Sequence, residues 1–235
     1  MNKNMPQHVA IIIDGNRRWA KENNKTNLQG HKKGFENIRK LAEYIFAKGV
    51  KYLSVFAFST ENFNRSAKEV KYLMDTFVTE FKKEYKRLIT KDIKIVFSGR
   101  RHNLREDVCQ AMDEATALSK DNNGGIFNIC LNYGGHAEII DASKKMIVDV
   151  QEGKLQLDEI NEQTMTNYLY QPLPQIDLLI RTGSEFRVSN FMLWQLNYAE
   201  FYFPPILWPE FSKYNFDQAI IEYQKRNRHF GGDRK

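Results

Sequence analysis

Short apolar runs alternate along this chain with segments of helical periodicity, and few folds accommodate that alternation. The runs are Val9 to Ile13, Tyr52 to Phe58, Ile93 to Phe97, Phe127 to Leu131 and Asp177 to Ile180, with Phe201 to Phe203 as a short sixth. Such runs, bounded by turn formers, read as strands buried on both faces. Between them, Phe35, Ile38, Leu41 and Ile45 share one face of a helix that Gly49 ends. Val70, Leu73, Phe77, Phe81 and Leu88 mark a longer helix opened by a capping box, Ser66 to Glu69. Further helices are predicted over Leu104 to Lys120, Ala137 to Gln151 and Phe216 to Arg226. Strands joined through helices require right-handed crossovers, so the expectation is an α/β fold with a central, mainly parallel six-stranded sheet flanked by helices. No linker, repeat or low-complexity tract divides the 235 residues, which predicts a single domain over 1–235.

Composition narrows the function classes. No apolar run approaches the ~18 residues that cross a bilayer. The start, Met1 to Pro6, carries no hydrophobic signal core, which predicts a cytoplasmic protein. Cys109 and Cys130 have no CxxC spacing and are expected to be free thiols. A net charge of +6 invites a nucleic-acid reading, but the distribution of charge opposes it. Lysines fall in mixed-charge helical stretches such as Lys82 to Arg87, where a solvated face is the default. Arginines instead gather beside glycines and strand ends, as Arg17, Arg18, Arg100, Arg101, Arg181 and Arg187. That pattern suits discrete anions, and no nucleic-acid partner is expected.

The residues after each strand carry the chemistry. They are Asp14-Gly15-Asn16, Ser59-Thr60-Glu61-Asn62, Ser98-Gly99-Arg100, Asn132-Tyr133-Gly134-Gly135 and Arg181-Thr182-Gly183-Ser184. In a parallel sheet these ends share one edge, where open α/β folds bind ligands, so all five are expected at a single crevice. Asp14 offers a hard oxygen to Mg²⁺, while Arg17 and Arg18 offer fixed charge to phosphate oxygens. The combination predicts a metal-diphosphate site, with Asp14 serving the metal more than the core. Asp14 acting only as a helix N-cap is the plain alternative. There is no GxxxxGK[ST], GxGxxG, HExxH or GxSxG, nor an aspartate-rich DDxxD cluster.

His8 to Trp19 resembles the signature of the cis-prenyltransferases, the undecaprenyl diphosphate synthase family. So do Phe56 to Arg65, Asn132 to Gly135, Ile180 to Gly183, Ser189-Asn190-Phe191, Leu193-Trp194-Gln195, Tyr198 to Phe203 and the tail Phe230-Gly231-Gly232. The resemblance implies a Mg²⁺-dependent homodimer that extends an allylic diphosphate, usually farnesyl diphosphate, with isopentenyl diphosphate. It also implies a hydrophobic tunnel between sheet and helices. Asp14 would bind the metal and take part in catalysis, and Gly15, Asn16, Arg17 and Arg18 would cradle the allylic diphosphate. Trp19, His31, Ser59, Thr60, Glu61, Phe63 and Arg65 would line the substrate region, with Asn62 helping to remove the isopentenyl C2 proton. Arg181, Arg187, Val188 and Ser189 would hold isopentenyl diphosphate, and Glu200 would complete a metal site near the dimer interface. Departures from the commonest pattern stand at Arg17, Asn27, Ser184, Phe186 and His229. The alternatives are a lookalike making a short or irregular prenyl diphosphate, or a non-catalytic partner subunit. The product of the principal reaction would associate with a membrane.

Overall fold

Every pairing in the sheet is parallel, including the short edge strand, so the sheet is more uniform than the sequence pattern requires. The computed structural model describes residues 5–226, apart from the side chains of 82–84; the expectations for Lys82 to Glu84, His229 and the Phe230-Gly231-Gly232 tail lie outside the described residues. Strand β1 spans His8–Ile12, β2 Tyr52–Ser59, β3 Ile93–Ser98, β4 Gly125–Tyr133, β5 Leu178–Arg181 and β6 Glu200–Tyr202. Their order across the sheet is β3-β4-β2-β1-β5-β6, which puts the strand ending before Asp14 in the middle. The helices are α1 Asn16–Glu22, α2 Asn27–Ala47, α3 Ala67–Ile89, α4 Glu106–Leu118, α5 Gly135–Gln151, α6 Glu162–Tyr168 and α7 Lys213–Gln224. Among them α6, too short for a periodic signal, is new, and α7 starts three residues earlier than its apolar pattern does.

Alternate residues of β1, β2, β4 and β5 feed two cores. Val9, Ile11, Val55 and Ile129 face a large cluster with Leu41, Ile45, Phe77 and Phe81 of α2 and α3. Ala10, Ile12, Phe56 and Cys130 face a smaller one built on Tyr133, Phe191 and Met192. Each large side chain so buried contributes roughly 1.5–3 kcal/mol. Gly49 ends α2 at a φ of 96°, as expected.

Two local features position the site. A Cβ on Gly30 would lie 2.2 Å from the Asn16 carbonyl oxygen, and one on Gly34 would lie 2.1 Å from the Asn16 side-chain oxygen. Glycine at both places lets α1 sit directly on α2. At Ser66 only half of the capping box forms: the hydroxyl accepts from the Glu69 N–H at 3.3 Å. The Glu69 carboxylate turns instead to His31 and Arg65.

A buried polar chain crosses the sheet. The Ser98 hydroxyl donates to Asn128 Oδ1 at 2.9 Å, and Asn128 Nδ2 donates to Ser54 Oγ at 3.0 Å. Ser54 lies 2.9 Å from His8 Nε2, and His8 Nδ1 lies 2.9 Å from the Pro174 carbonyl. A carbonyl can only accept, so Nδ1 carries the proton and Nε2 accepts from Ser54. Burial holds the His8 pKa down at about 4.

Candidate active site

Asp14 stands one residue beyond Ile13 at the carboxyl end of the central strand, held from several sides. Its carbonyl accepts from the Trp208 N–H at 3.0 Å and from the Thr182 hydroxyl at 2.6 Å. Its carboxylate accepts from the Gly15 N–H at 2.7 Å and from Arg181 Nη2 at 2.9 Å, with Arg18 Nη2 at 3.5 Å. The N-cap of α1 is Gly15, with φ 108°, so the helix-cap alternative for Asp14 falls. A Cβ on Gly15 would also press on Leu207. The carboxylate is therefore held by the Gly15 N–H and Arg181 as well as being a potential metal ligand.

A cavity of ≈ 660 Å³ opens beside it, between the sheet and helices α2 and α3, within the range of small-ligand sites. Its polar part is lined by Asp14, Asn16, His31, Ser59, Glu61, Asn62, Arg65, Arg181, Ser189 and Asn190. The rest is mainly apolar, with Val55, Phe58, Met74, Phe77, Phe127 and Ile129, though Arg39, Glu43 and Thr76 also line it. Along α2 the lining runs from His31 to Glu43, and twelve residues at helical rise give about 18 Å of wall. This is the tunnel implied by the resemblance. Phe127 lines it, whereas Gly125 faces Phe46, where a Cβ would lie 2.7 Å from the ring.

The ends of β1, β2 and β5 meet at this cavity, but those of β3 and β4 do not. Arg100 pairs with Asp141 at 2.8 Å and Arg101 pairs with Asp113, so neither arginine is offered to a ligand here. Asn132 spends its amide on the Arg100 and His102 carbonyls.

The remaining predicted residues divide between the cavity wall and its rim. Arg181 has a side chain only 5% exposed, yet its Nε has no partner. Its Nη1 donates to the Arg187 carbonyl at 2.6 Å and to Ser189 Oγ at 2.8 Å. His31 Nε2 lies 3.1 Å from Glu69, and burial pushes its pKa down despite that partner. Arg65 also reaches Glu69, at 3.2 Å. Asn62 Oδ1 accepts from the Ser59 N–H at 3.1 Å, which locks the 3₁₀ turn Thr60–Asn64 onto the end of β2. Outside the lining, Arg17 is exposed and Arg18 donates to the Gly183 carbonyl at 2.6 Å. Arg187 is exposed and paired with Glu185, which also lies 3.7 Å from Arg18. Trp19 donates to Glu210 at 3.0 Å, Phe63 packs edge-on against Phe58, and Val188 joins the smaller core. Thr60 lies against Gly134. Asn27 is exposed in the first turn of α2. Glu200 starts the edge strand and pairs with Arg226 at 2.9 Å, apart from Asp14.

Sequence reasoning missed Glu69, read as a cap, and Asn190, which carries no charge. It also missed Trp208, which acts on Asp14 through its backbone N–H and leaves no side-chain signature.

The undecaprenyl diphosphate synthase family model matches residues 12–231, nearly the whole chain. The chain belongs to that family, the cis-prenyltransferases. It is an isoprenyl transferase by that membership. A farnesyl-diphosphate-specific ditrans,polycis-undecaprenyl-diphosphate synthase of Pasteurella multocida is 44% identical over 230 residues, 97% of this chain and 96% of its own. A geranylgeranyl-diphosphate-specific tritrans,polycis enzyme of Pyrococcus furiosus is 43% identical over 230 residues, covering 97% of this chain and 87% of its own. Among solved structures, lavandulyl diphosphate synthase from Lavandula x intermedia, in complex with dimethylallyl diphosphate, superposes with a TM-score of 0.95 at 38% identity, covering 98% of this chain and 100% of its own. The cis-prenyltransferase fold therefore serves relatives that differ in allylic chain length, while the polar part of the cavity is framed here by the motifs of the family.

The donor set fits one magnesium ion bound chiefly through its substrate. Among the described residues no three acidic, histidine or cysteine side chains cluster into a metal cage. Asp14, with its side chain one-third exposed beside Arg181, supplies one carboxylate. Mg²⁺ commonly takes one or two carboxylates and fills its remaining positions with phosphate oxygens and water.

Proposed function

We propose that this protein is a Mg²⁺-dependent cis-prenyltransferase that condenses isopentenyl diphosphate onto an allylic diphosphate, farnesyl diphosphate in the first instance. Its product is a polyprenyl diphosphate such as undecaprenyl diphosphate for cell-envelope synthesis. The observation that carries this reading is one cavity with Asp14 and Arg181 in its polar part and a long, mainly apolar wall beyond them. A diphosphate head and a growing hydrocarbon tail need those two environments in that order.

In this reading Gly15 to Arg18 and Arg65 bind the allylic diphosphate, and Arg181, Arg187, Val188 and Ser189 bind the isopentenyl one. Asp14 and the diphosphate oxygens would hold Mg²⁺, which when bound neutralises charge on the leaving group. The arginines oppose the same charge from fixed positions, which favours cleavage of the allylic C–O bond over binding alone. As the allylic C1–O bond breaks, the diphosphate leaves with its bonding pair, C4 of the isopentenyl unit bonds to C1, and the isopentenyl C2 proton passes to an oxygen of the departing diphosphate. Asn62, a neutral amide held by the Ser59 N–H, helps that transfer by orienting the diphosphate oxygen that takes the proton. Ser59, Thr60, Glu61 and Phe63 shape the turn that carries it, and Trp19 and His31 border the head-group region. Glu200 belongs to a subunit interface, where the exposed Phe186, Tyr198 and Phe201 suit a homodimer. The catalytic domain is cytoplasmic, and its long product partitions into a membrane.

The likeness to lavandulyl diphosphate synthase favours a second reading, a short or irregular prenyl diphosphate product. The test is incubation with farnesyl or geranylgeranyl diphosphate, radiolabelled isopentenyl diphosphate and Mg²⁺ or EDTA, followed by sizing of the product. Many additions to a farnesyl primer, abolished by EDTA, support the first reading. Short products favour the second, and failure to incorporate label overturns both.

A further inference from the structure

The turn that carries Asn62 and the loop that carries Arg181's partner Ser189 come from opposite ends of the sequence, and one uncharged side chain ties them together. Asn190 Nδ2 donates to Glu61 Oε1 at 3.1 Å, across 129 positions of sequence. Its Oδ1 accepts from the His136 N–H at 2.8 Å, and its backbone carbonyl accepts from the Gly135 N–H at 2.6 Å. It adopts φ 63°, a left-handed conformation that asparagine tolerates better than most residues, and it lines the cavity. Space around it is tight: a Cβ on Gly134 would come within 2.8 Å of both Asn190 Nδ2 and Thr60 Oγ1.

The contacts form a continuous belt. Glu61 joins Asn190, whose neighbour Ser189 accepts from Arg181, and Arg181 donates to Asp14. Asn62 follows Glu61 directly, so the belt runs from the proton-removal turn to the carboxylate at the diphosphates. Helix α5 closes it from outside, because Gly134, its N-cap, has no side chain and the first turn borrows Asn190 instead.

We propose that Asn190 is a positioning residue that fixes the Asn62 turn relative to the anion-binding loop, and so sets the rate of the bond-forming step rather than the affinity for either diphosphate. This rests on the reading of the site given above. The two hydrogen-bonding directions make the amide specific: the oxygen must accept from α5 while the nitrogen donates to Glu61. An aspartate keeps the first contact and loses the second, setting two carboxylates face to face.

The experiment compares single-turnover and steady-state elongation of farnesyl diphosphate by the full chain and four variants, with thermal unfolding of each. Asn190→Ala should lose about tenfold or more in kcat, as small misplacements of reacting groups do, with both KM values within about threefold of wild type. Asn190→Asp should be impaired although it still caps α5. The double variant Asn190→Asp with Glu61→Gln, which restores the contact with donor and acceptor exchanged, should turn over faster than Asn190→Asp alone. Glu61→Gln is run as the reference single variant. Wild-type kcat in Asn190→Asp would show that the residue only caps the helix, and would overturn the proposal. So would an Asn190→Ala loss that appears in KM, or a double variant no faster than Asn190→Asp. If Asn190→Ala does not fold, the aspartate pair decides alone. If the wild type itself does not elongate the primer, the reading of the reaction fails; if it elongates and the variants match it, only the positioning role does.

Discussion

Acid should unfold this protein through His8. The imidazole is fully buried, with one nitrogen bonded to the Pro174 carbonyl and the other to Ser54, so the native state holds it neutral. Its folded pKa is about 4, below the 6.5 of an exposed histidine. Because the folded value is depressed, the unfolded chain takes up the proton first as pH falls. The stabilisation is therefore complete above pH 6.5 and is lost progressively between about 6.5 and 4. Linkage between those two values gives a loss of about 2 kcal/mol on going from pH 7 to 5, and about 3 kcal/mol by pH 4. That is a large share of the stability of an ordinary domain. The assay is urea unfolding at pH 7, 6, 5 and 4 for the wild type and for His8→Gln. The variant should be weaker at pH 7 but fall less steeply with acid. Subtracting the two curves removes the carboxylates that titrate in both, including Glu138, whose buried carboxyl is pushed to a raised pKa. Parallel curves for the two proteins would refute the argument.

Asp14→Ala should lower turnover by about 10³-fold or more, the scale of removing a metal-held leaving-group interaction. It should also cost about 1–3 kcal/mol of stability, because buried Arg181 loses its carboxylate; isopentenyl incorporation and a thermal melt read the two effects. Phe127→Ala should lengthen the product, since its ring lines the cavity, and should destabilise by about 3–5 kcal/mol. Unchanged product length on sizing would place the limiting wall elsewhere. Sedimentation velocity at micromolar concentration should show a dimer, and a fully active monomer would overturn the interface assigned to Glu200 and Phe201.

The sequence was most legible where one residue type had one job. Short apolar runs marked five strands, and Gly49 marked the end of α2, because burial and positive φ leave few alternatives. It was least legible where the fold decides between partners. Arg100 and Arg181 both follow apolar strands, and only the sheet order sends one to Asp141 and the other to Asp14. Glu69 fits a capping box by spacing, but tertiary contact with His31 and Arg65 outcompetes the local bond. Asn190 sat inside a recognisable motif, yet its contacts depend on Glu61, 129 positions away, and on the His136 N–H, 54 positions away.

The central place of β1 has a consequence for how the chain is made. Residues 8–12 leave the ribosome well before one of their two neighbours, β5, which starts only at residue 178. The Asp177 carboxylate that accepts from the Gln7 and His8 N–H groups arrives just before it. At usual elongation rates the interval is roughly 10–30 s. Throughout it, one side of a strongly apolar strand presents unpaired backbone groups, the condition that invites pairing with the wrong chain. A nascent chain stalled before residue 178 therefore lacks both Arg181 and the strand that covers this edge of β1.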